Sequence, residues 1–470
     1  MKRIKLVFIL IFLIVSCLPI FNSQKVLALE FYANDIISNS DMQDYESMSL
    51  EGIIEFLDSH NGVLKNYRIK DYFGVEKSAA EIIYNAAQAY KINPKWILAT
   101  LQKEQSLITN PSPSQYNLDW AMGYAVCDSC SVDDPRVQLF KGFGTQVDRA
   151  TWRIRYYYEN PEKFNFRVGK LSLVDNRDVL PYNQATANLY NYTPHIHGNY
   201  NFWLIWNRWF SKIYPDGTLV KKEGDTGVWL IEDGKRRPFW SKAALISRYD
   251  ESRVIKISRN DLLRYEVGYP IKYPNYSLLS SLDGKIYLTV NNEKKQIESP
   301  EVFRMIGFNP EEVIEVTEDE LAYYQEGRKI TLNSLYPQGA LLQDNKSGGV
   351  YYVEDGIKYS IWDKEIMQVN YPDYKLTPVS SEELNKYVTA ATGVRFKDGS
   401  LIKLVDNSKV YVISNGQRRW IANETTFNQL SYKWSDVIVV SEKVASLHPM
   451  GQQLDLDFSN DSRMATNLNN

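Results

Sequence analysis

Beyond Tyr214-Pro215-Asp216-Gly217 the chain repeats itself, and this repetition limits the fold more than any other feature. Four strand-like runs recur at a period of about 60 residues, inside the range of known repeat architectures: Val228-Trp229-Leu230-Ile231, Ile286-Tyr287-Leu288-Thr289, Val350-Tyr351-Tyr352-Val353 and Val410-Tyr411-Val412-Ile413. Each run meets a hairpin turn at Asp233-Gly234, Asn291-Asn292, Asp355-Gly356 or Asn415-Gly416, the residue types that accept a positive φ. A second short strand then carries Arg236-Arg237, Lys294-Lys295, Lys358-Tyr359 or Arg418-Arg419. Ser241, Ser299, Asp363 and Asn423 stand next as helix caps, because a short side-chain oxygen can accept the first orphan N–H of a helix. Short helices follow with Leu245, Phe303, Ile366 and Phe427 as apolar anchors, and Val313–Val316 and Val437–Val440 read as later strands. Gly268, Gly327, Gly393 and Gly451 close the units. A hairpin with one helix cannot bury its own apolar face, so neighbouring units must pack together. A propeller-like disc and an open stack both satisfy that requirement. The basic pairs suit either contact with an anionic wall polymer or the blunting of a solvated edge strand.

The other half reads as mainly helical. Glu51 to Leu57 and Ala79 to Tyr90 have apolar residues at helical spacing. Asn93 and Pro94 then start a third helix, with a cap followed by proline at the first helical position. Its end is expected after Thr109, where Asn110-Pro111-Ser112-Pro113 cannot continue a helix. Ile97, Leu101 and Ile108 form the apolar face, and Glu104 lies on the same side. A carboxylate there is paired or used, and partial burial of a carboxyl group favours the protonated form that a general acid needs. Val137 to Tyr158 is a further helix, and the aromatics Phe202, Trp203, Trp206, Trp209 and Phe210 read as core.

Residues Asn93-Pro94, Trp96-Ile97-Leu98-Ala99 and Glu104 resemble the catalytic helix of the lysozyme-like superfamily, in particular lytic transglycosylases and muramidases. Gln105 departs from that pattern, since many transglycosylases have Glu-Ser where this chain has Glu-Gln-Ser. Ala121-Met122-Gly123-Tyr124 resembles the cleft loop of that family in position and in its Met. The stretch from Asn183 to His195, with Leu189-Tyr190-Asn191-Tyr192, resembles its helix ending in Ala-Tyr-Asn. The resemblance implies Glu104 as catalytic acid and base, and Met122, Tyr124, Gln184, Tyr190, Asn191 and Tyr192 as substrate-binding residues. It implies a lysozyme-like domain over 48–213; with the repeats, read from their period over 214–271, 272–330, 331–394 and 395–455, the chain is expected to be α+β multidomain. The implied activity is cleavage of peptidoglycan glycan strands without a cofactor or metal. The alternative is a non-catalytic glycan-binding adhesin or wall anchor. A third reading takes His195 and His197 as a zinc pair of an amidase.

The ends and the cysteines bear on location. Lys2, Arg3 and Lys5, the apolar run Leu6 to Phe21, and Val26-Leu27-Ala28 make residues 1–28 an export signal, followed by a polar linker over 29–47. An uncleaved signal, or a lipid on Cys17, is the route by which a membrane would be involved. Cys127 and Cys130 fit a small disulfide loop in an exported protein, with a redox couple or half of a zinc site as alternatives. Residues 456–470 are polar and expected to be disordered. The formal net charge is −3 over 470 residues, which gives no basic footprint for nucleic acid. The 33 tyrosines and 11 tryptophans suit both sugar stacking and β-rich repeats.

Overall fold

The computed structural model describes residues 30–126 and 131–454. The export signal, Cys127, Cys130 and the tail therefore lie outside the described residues. In the helical half α1 (Asn39–Gln43), α2 (Leu50–Ser59), the hairpin β1 (Arg68–Lys70) and β2 (Glu76–Ser78), α3 (Ala79–Tyr90) and α4 (Pro94–Gln105) follow one another. Next come α5 (Gln115–Asp119), α6 (Pro135–Gln138), α7 (Phe143–Glu159), the hairpin β3 (Ser172–Val174) and β4 (Arg177–Val179), α8 (Gln184–Tyr192) and α9 (Ile196–Trp209). One core unites them, with Trp96, Ile97, Leu101, Phe143, Tyr190 and Phe202 all but inaccessible. The aromatic run of α9 belongs to that core.

Three expectations change here. The segment read as a linker supplies Ile36, Ile37 and Met42 to the core, so it belongs to the helical body. The third helix ends at Gln105, four residues early: Ser106 turns left-handed at φ +56° and its N–H returns to Gln102 and Leu101. Leu107 and Ile108 are buried, but from the turn that follows. The long helix expected from Val137 divides into α6 and α7, with Gly142 at φ +103° between them.

The repeats form α+β units built on mixed sheets. In the first, β5 (Leu219–Lys222), β6 (Val228–Glu232) and β7 (Lys235–Pro238) run antiparallel, while β8 (Ile255–Ile257) joins β5 in parallel and β9 (Glu266–Val267) joins β7 in parallel. The same order recurs in units two and three, and in unit four a parallel bridge from Arg418 to Met450 stands where the fifth strand would be. Ser241, Ser299, Asp363 and Asn423 each cap the helix that follows. Leu245, Phe303, Ile366 and Phe427 are buried.

The strand that opens each unit was not anticipated. A loop precedes it whose residue at Gly217, Tyr276, Gly339 or Gly399 has positive φ. Asp216, Asn275 and Asp398 in that loop accept backbone N–H groups of the hairpin turn in their own units. The unit-closing position in unit three is Ala390, whose N–H donates to Lys358 as those of Gly268, Gly327 and Gly451 donate to Arg236, Lys294 and Arg418; Gly393 lies three residues further on.

The basic pairs are neither solvated nor on an edge. In units one to three a second small helix ends near the first member of the pair. Arg236 donates to the Leu262 carbonyl at 2.9 Å, Lys294 to Leu321 at 3.0 Å and Lys358 to Leu384 at 2.7 Å. A cation at the carbonyl end of a helix satisfies an orphan acceptor and the negative end of its dipole. The second member ties units together in two cases: Arg237 donates to Asn292 Oδ1 of unit two at 3.4 Å, and Lys295, 1% exposed, pairs with Glu354 at 2.5 Å and Asp355 at 2.9 Å in unit three. Further contacts link unit one to two through Arg248 and the Tyr273 carbonyl, unit three to four through a shared apolar cluster, and unit four to one through another. The helical half rests on units one and four: Asn260 donates to the Ile36 carbonyl, and Gln429 to that of Ser47.

Candidate functional site

The last turn of α4 carries the residues singled out by sequence. Asn93 caps the helix from below, accepting the Lys95 N–H at 2.9 Å and donating to the Asp41 carbonyl at 2.6 Å. This fixes the helix along its axis, so Lys103 and Glu104 emerge at a defined place. What lies against the Glu104 carboxylate is a cation. Lys103 Nζ stands 2.7 Å from Glu104 Oε1, with side chains 8% and 25% exposed. Neighbours in sequence point about 100° apart on a helix, so something must hold the lysine round. Thr193 does so, accepting from Lys103 Nζ at 2.7 Å, and the ammonium lies 5.8 Å from the Tyr192 ring.

The floor is the loop 120–124. Gln146, fully buried on α7, accepts the N–H groups of Met122 and Tyr124 at 3.3 and 3.0 Å and donates to the carbonyls of Tyr124 and Phe140. Tyr192 donates its hydroxyl to the Met122 carbonyl at 2.7 Å. Burial, and next the Glu104 charge, push that phenol well above its ordinary pKa, which keeps it a donor. Gly123 has φ +63°, and a Cβ on it would lie 2.8 Å from Glu104 Oε2. Glycine is needed there on both counts. Arg153 donates to the Tyr124 hydroxyl at 3.1 Å.

Thus Glu104, Met122, Tyr124 and Tyr192 come together, and the other expected site residues do not join them. Tyr190 is buried and donates to the Ala33 carbonyl at 3.0 Å, because position 190 lies on the opposite side of α8 from 192. Asn191 pins Phe166 by both its N–H and its carbonyl. Gln184 donates to Asn188 at 2.6 Å. Lys103, Gln146 and Arg153 went unrecognised in the sequence. Gln146 left a signal: it is a polar residue on the buried stripe of Phe143, Val147 and Ala150, which requires partners.

The imidazoles of the proposed zinc pair turn to different groups, His195 to Asp175 at 3.0 Å and His197 to Asn201 at 3.1 Å. Among the described residues no three His, Cys, Asp or Glu side chains gather as a ligand set. Also among these residues, no helix is long and apolar enough to cross a membrane.

Similar solved structures include the periplasmic assembly of the ESX-5 inner membrane complex, at 8% identity and TM-score 0.13 over 53% of this chain and 94% of that one. The intact ESX-5 inner membrane complex matches at 10% identity and TM-score 0.12, over 55% and 83%. The EccB3 dimer from the ESX-3 core complex matches at 8% identity and TM-score 0.14, over 52% and 99%. TM-scores this low support no argument. No curated protein matches the sequence. Residues 36–213 match the family described as "LasA, N-terminal domain". That stretch contains the whole of the site, and the match overturns the lysozyme-like reading and the glycan-cleaving activity drawn from it: the domain is associated with a peptidase, LasA, and not with a lytic transglycosylase or muramidase.

Proposed function

We propose that residues 36–213 are a peptide-holding module that works alongside a peptidase acting on the cell wall, and that the chain is exported to reach it. The observation that carries this reading is the Lys103–Glu104 pair, half-buried beside a rigid loop. Side by side, a cation and an anion suit a ligand bearing both a free amine and a free carboxylate, as wall peptides do. Exchange of partners on binding preserves the charge balance on each side. The likeness of 36–213 to a peptidase-associated domain supports the same assignment. On this reading the module holds a peptide for a partner that cleaves it.

We also propose that the four repeats close into a propeller-like disc. Contacts between units one and two, two and three, three and four, and four and one support closure over an open stack, in which the first and last units would not touch. Export rests on the basic and apolar N-terminal residues.

The test is calorimetric titration of the whole chain with a wall-derived tetrapeptide carrying a diamino acid. Glu104→Gln and Lys103→Met are each expected to weaken binding about tenfold, the value of one charge-assisted hydrogen bond. Equal binding by the wild type and both variants would remove the assignment.

A further inference from the structure

A second surface leaves the site along α7. Arg149, Trp152, Arg153 and Tyr156 share one outward stripe of that helix, being three and four residues apart. Trp152 and Tyr156 stack at 5.2 Å between centroids with an interplanar angle of 25°. The Arg153 guanidinium lies 5.1 Å from the Trp152 ring, and its hydrogen bond to Tyr124 joins the stripe to the loop beside Glu104. At the other end Arg149 lies 3.8 Å over the Tyr72 ring. Tyr72 meets Phe73 edge-on at 5.2 Å on the turn of the β1–β2 hairpin, where Phe73 is 78% exposed. Lys163 stands 5.3 Å from the Tyr156 ring. Rings and cations therefore alternate along a continuous strip.

The strip holds a local surplus of positive charge. Arg149 is matched by Asp148 at 3.2 Å. Among the described residues no carboxylate pairs with Arg153 or Lys163, whose polar partners are Tyr124 for the first and Asn160 and Tyr156 for the second. This surplus stands on a chain whose formal net charge is −3, so it is a feature of the strip and not of the whole surface. Tyr72 and Phe73 are exposed and Trp152 and Tyr156 half-buried, and a run of rings open to solvent beside cations with no carboxylate partner among the described residues marks a binding surface.

We propose that this strip binds a polyanionic polysaccharide, laid along α7 from the hairpin towards Tyr124. Sugar rings present flat C–H faces that rest on aromatic side chains, and acidic groups spaced along the polymer meet Arg153 and Lys163. The α7 portion alone spans about 10 Å, seven steps of 1.5 Å from Arg149 to Tyr156. Single-stranded nucleic acid fits less well. Its dense phosphate charge calls for a basic groove, and the strip offers two cations without a carboxylate partner among the described residues, on a chain of net charge −3. The inference does not rest on the peptide-holding role, since it uses neither Lys103 nor Glu104.

The experiment is affinity electrophoresis of the full chain through gels containing polygalacturonate, phosphomannan, neutral dextran or single-stranded DNA. Retardation by one or both polyanions is expected, and which of the two retards identifies carboxylate or phosphate as the charge read. Trp152→Ala is expected to weaken retardation about tenfold, the worth of one stacking ring, and Arg153→Gln by a similar factor. Phe73→Ser, on an exposed turn where folding is not at stake, is expected to weaken it about threefold. Retardation by dextran equal to that by the polyanions, tighter binding of DNA, no retardation by any polyanion, or full retardation of all three variants would each overturn the proposal.

Discussion

Lys95 offers a direct test of how the helical half is seated on the repeats. It occupies the first turn of α4 and is 2% exposed. Burial above all, and then the nearby Lys212, lowers its ammonium from the usual 10.5 to about 7; Asp44, Asp41 and Asp261 act in the opposite sense. Above pH 10.5 the amine is neutral whether the chain is folded or not, and it costs nothing. Between 10.5 and about 7 the unfolded chain carries a proton that the folded chain does not, so unfolding takes up a proton and stability falls as pH falls. Below about 7 both states are charged and the cost stays constant. The interval of about 3.5 between the two values, at 1.36 kcal/mol per pKa unit, corresponds to about 5 kcal/mol against folding at neutral pH. Lys95→Met keeps the length of the side chain and removes that cost. The value of about 7 already contains the pull of Asp44, Asp41 and Asp261, so no separate loss is charged to those aspartates. Repacking around the methionine offsets about half of the gain, which we set at about 2 kcal/mol net, within the range found when buried ion pairs give way to apolar groups. Urea unfolding followed by tryptophan fluorescence should show the variant more stable by about this amount near pH 7, with the gain largely gone near pH 9.5. A variant less stable by more than about 1 kcal/mol at neutral pH, or one whose stability follows pH as the wild type's does, would refute the reasoning.

Three other outcomes follow from the geometry. Gly123→Ala places a methyl against the Glu104 carboxylate at a positive φ; it should cost about 1–2 kcal/mol in thermal stability and disturb peptide binding together with Glu104. Lys295→Met leaves Glu354 and Asp355 facing a buried gap between units two and three, and should destabilise the repeats by about 3 kcal/mol in urea, with Glu354→Gln in the same chain restoring part of the loss. Lys358→Met removes the cation from the Leu384 carbonyl and should lower stability by about 1 kcal/mol, the value of a helix-end hydrogen bond.

The parts legible in the sequence are those fixed within a few residues. Asn93, Ser241, Ser299, Asp363 and Asn423 cap helices because a cap needs only its own side chain and an N–H two or three residues on. The hairpin turns at Asp233-Gly234 and Asn415-Gly416 follow for a similar reason, both members having positive φ. The opening strand of each unit was not legible. Leu219–Lys222 is short and half polar, and it becomes a strand by lying between Val228–Glu232 and Ile255–Ile257, the latter more than thirty residues away. The end of α4 was misplaced because Ser106, not glycine, adopts the left-handed turn, while the apolar Leu107 and Ile108 continued the appearance of a helix.

Glu104 shows where reading a motif from one helix stops. Helical periodicity places a carboxylate beside a core, but it does not say what else arrives there. The deciding group, Lys103, is adjacent in sequence and faces another way on an ideal helix; it turns to Glu104 because Thr193, ninety residues later, holds its ammonium. The repeats teach the same lesson with the opposite sign. Lys294 and Lys358 look like solvated edge residues until the second small helix of each unit presents its last carbonyl to them. In both cases a charge was legible and its counter-group was not, because the counter-group is supplied by tertiary contact. A charged residue in a single sequence therefore marks where a partner must be sought, and the chemistry belongs to the pair: for Glu104 an anion held beside a cation, which suits recognition of a ligand with two charges.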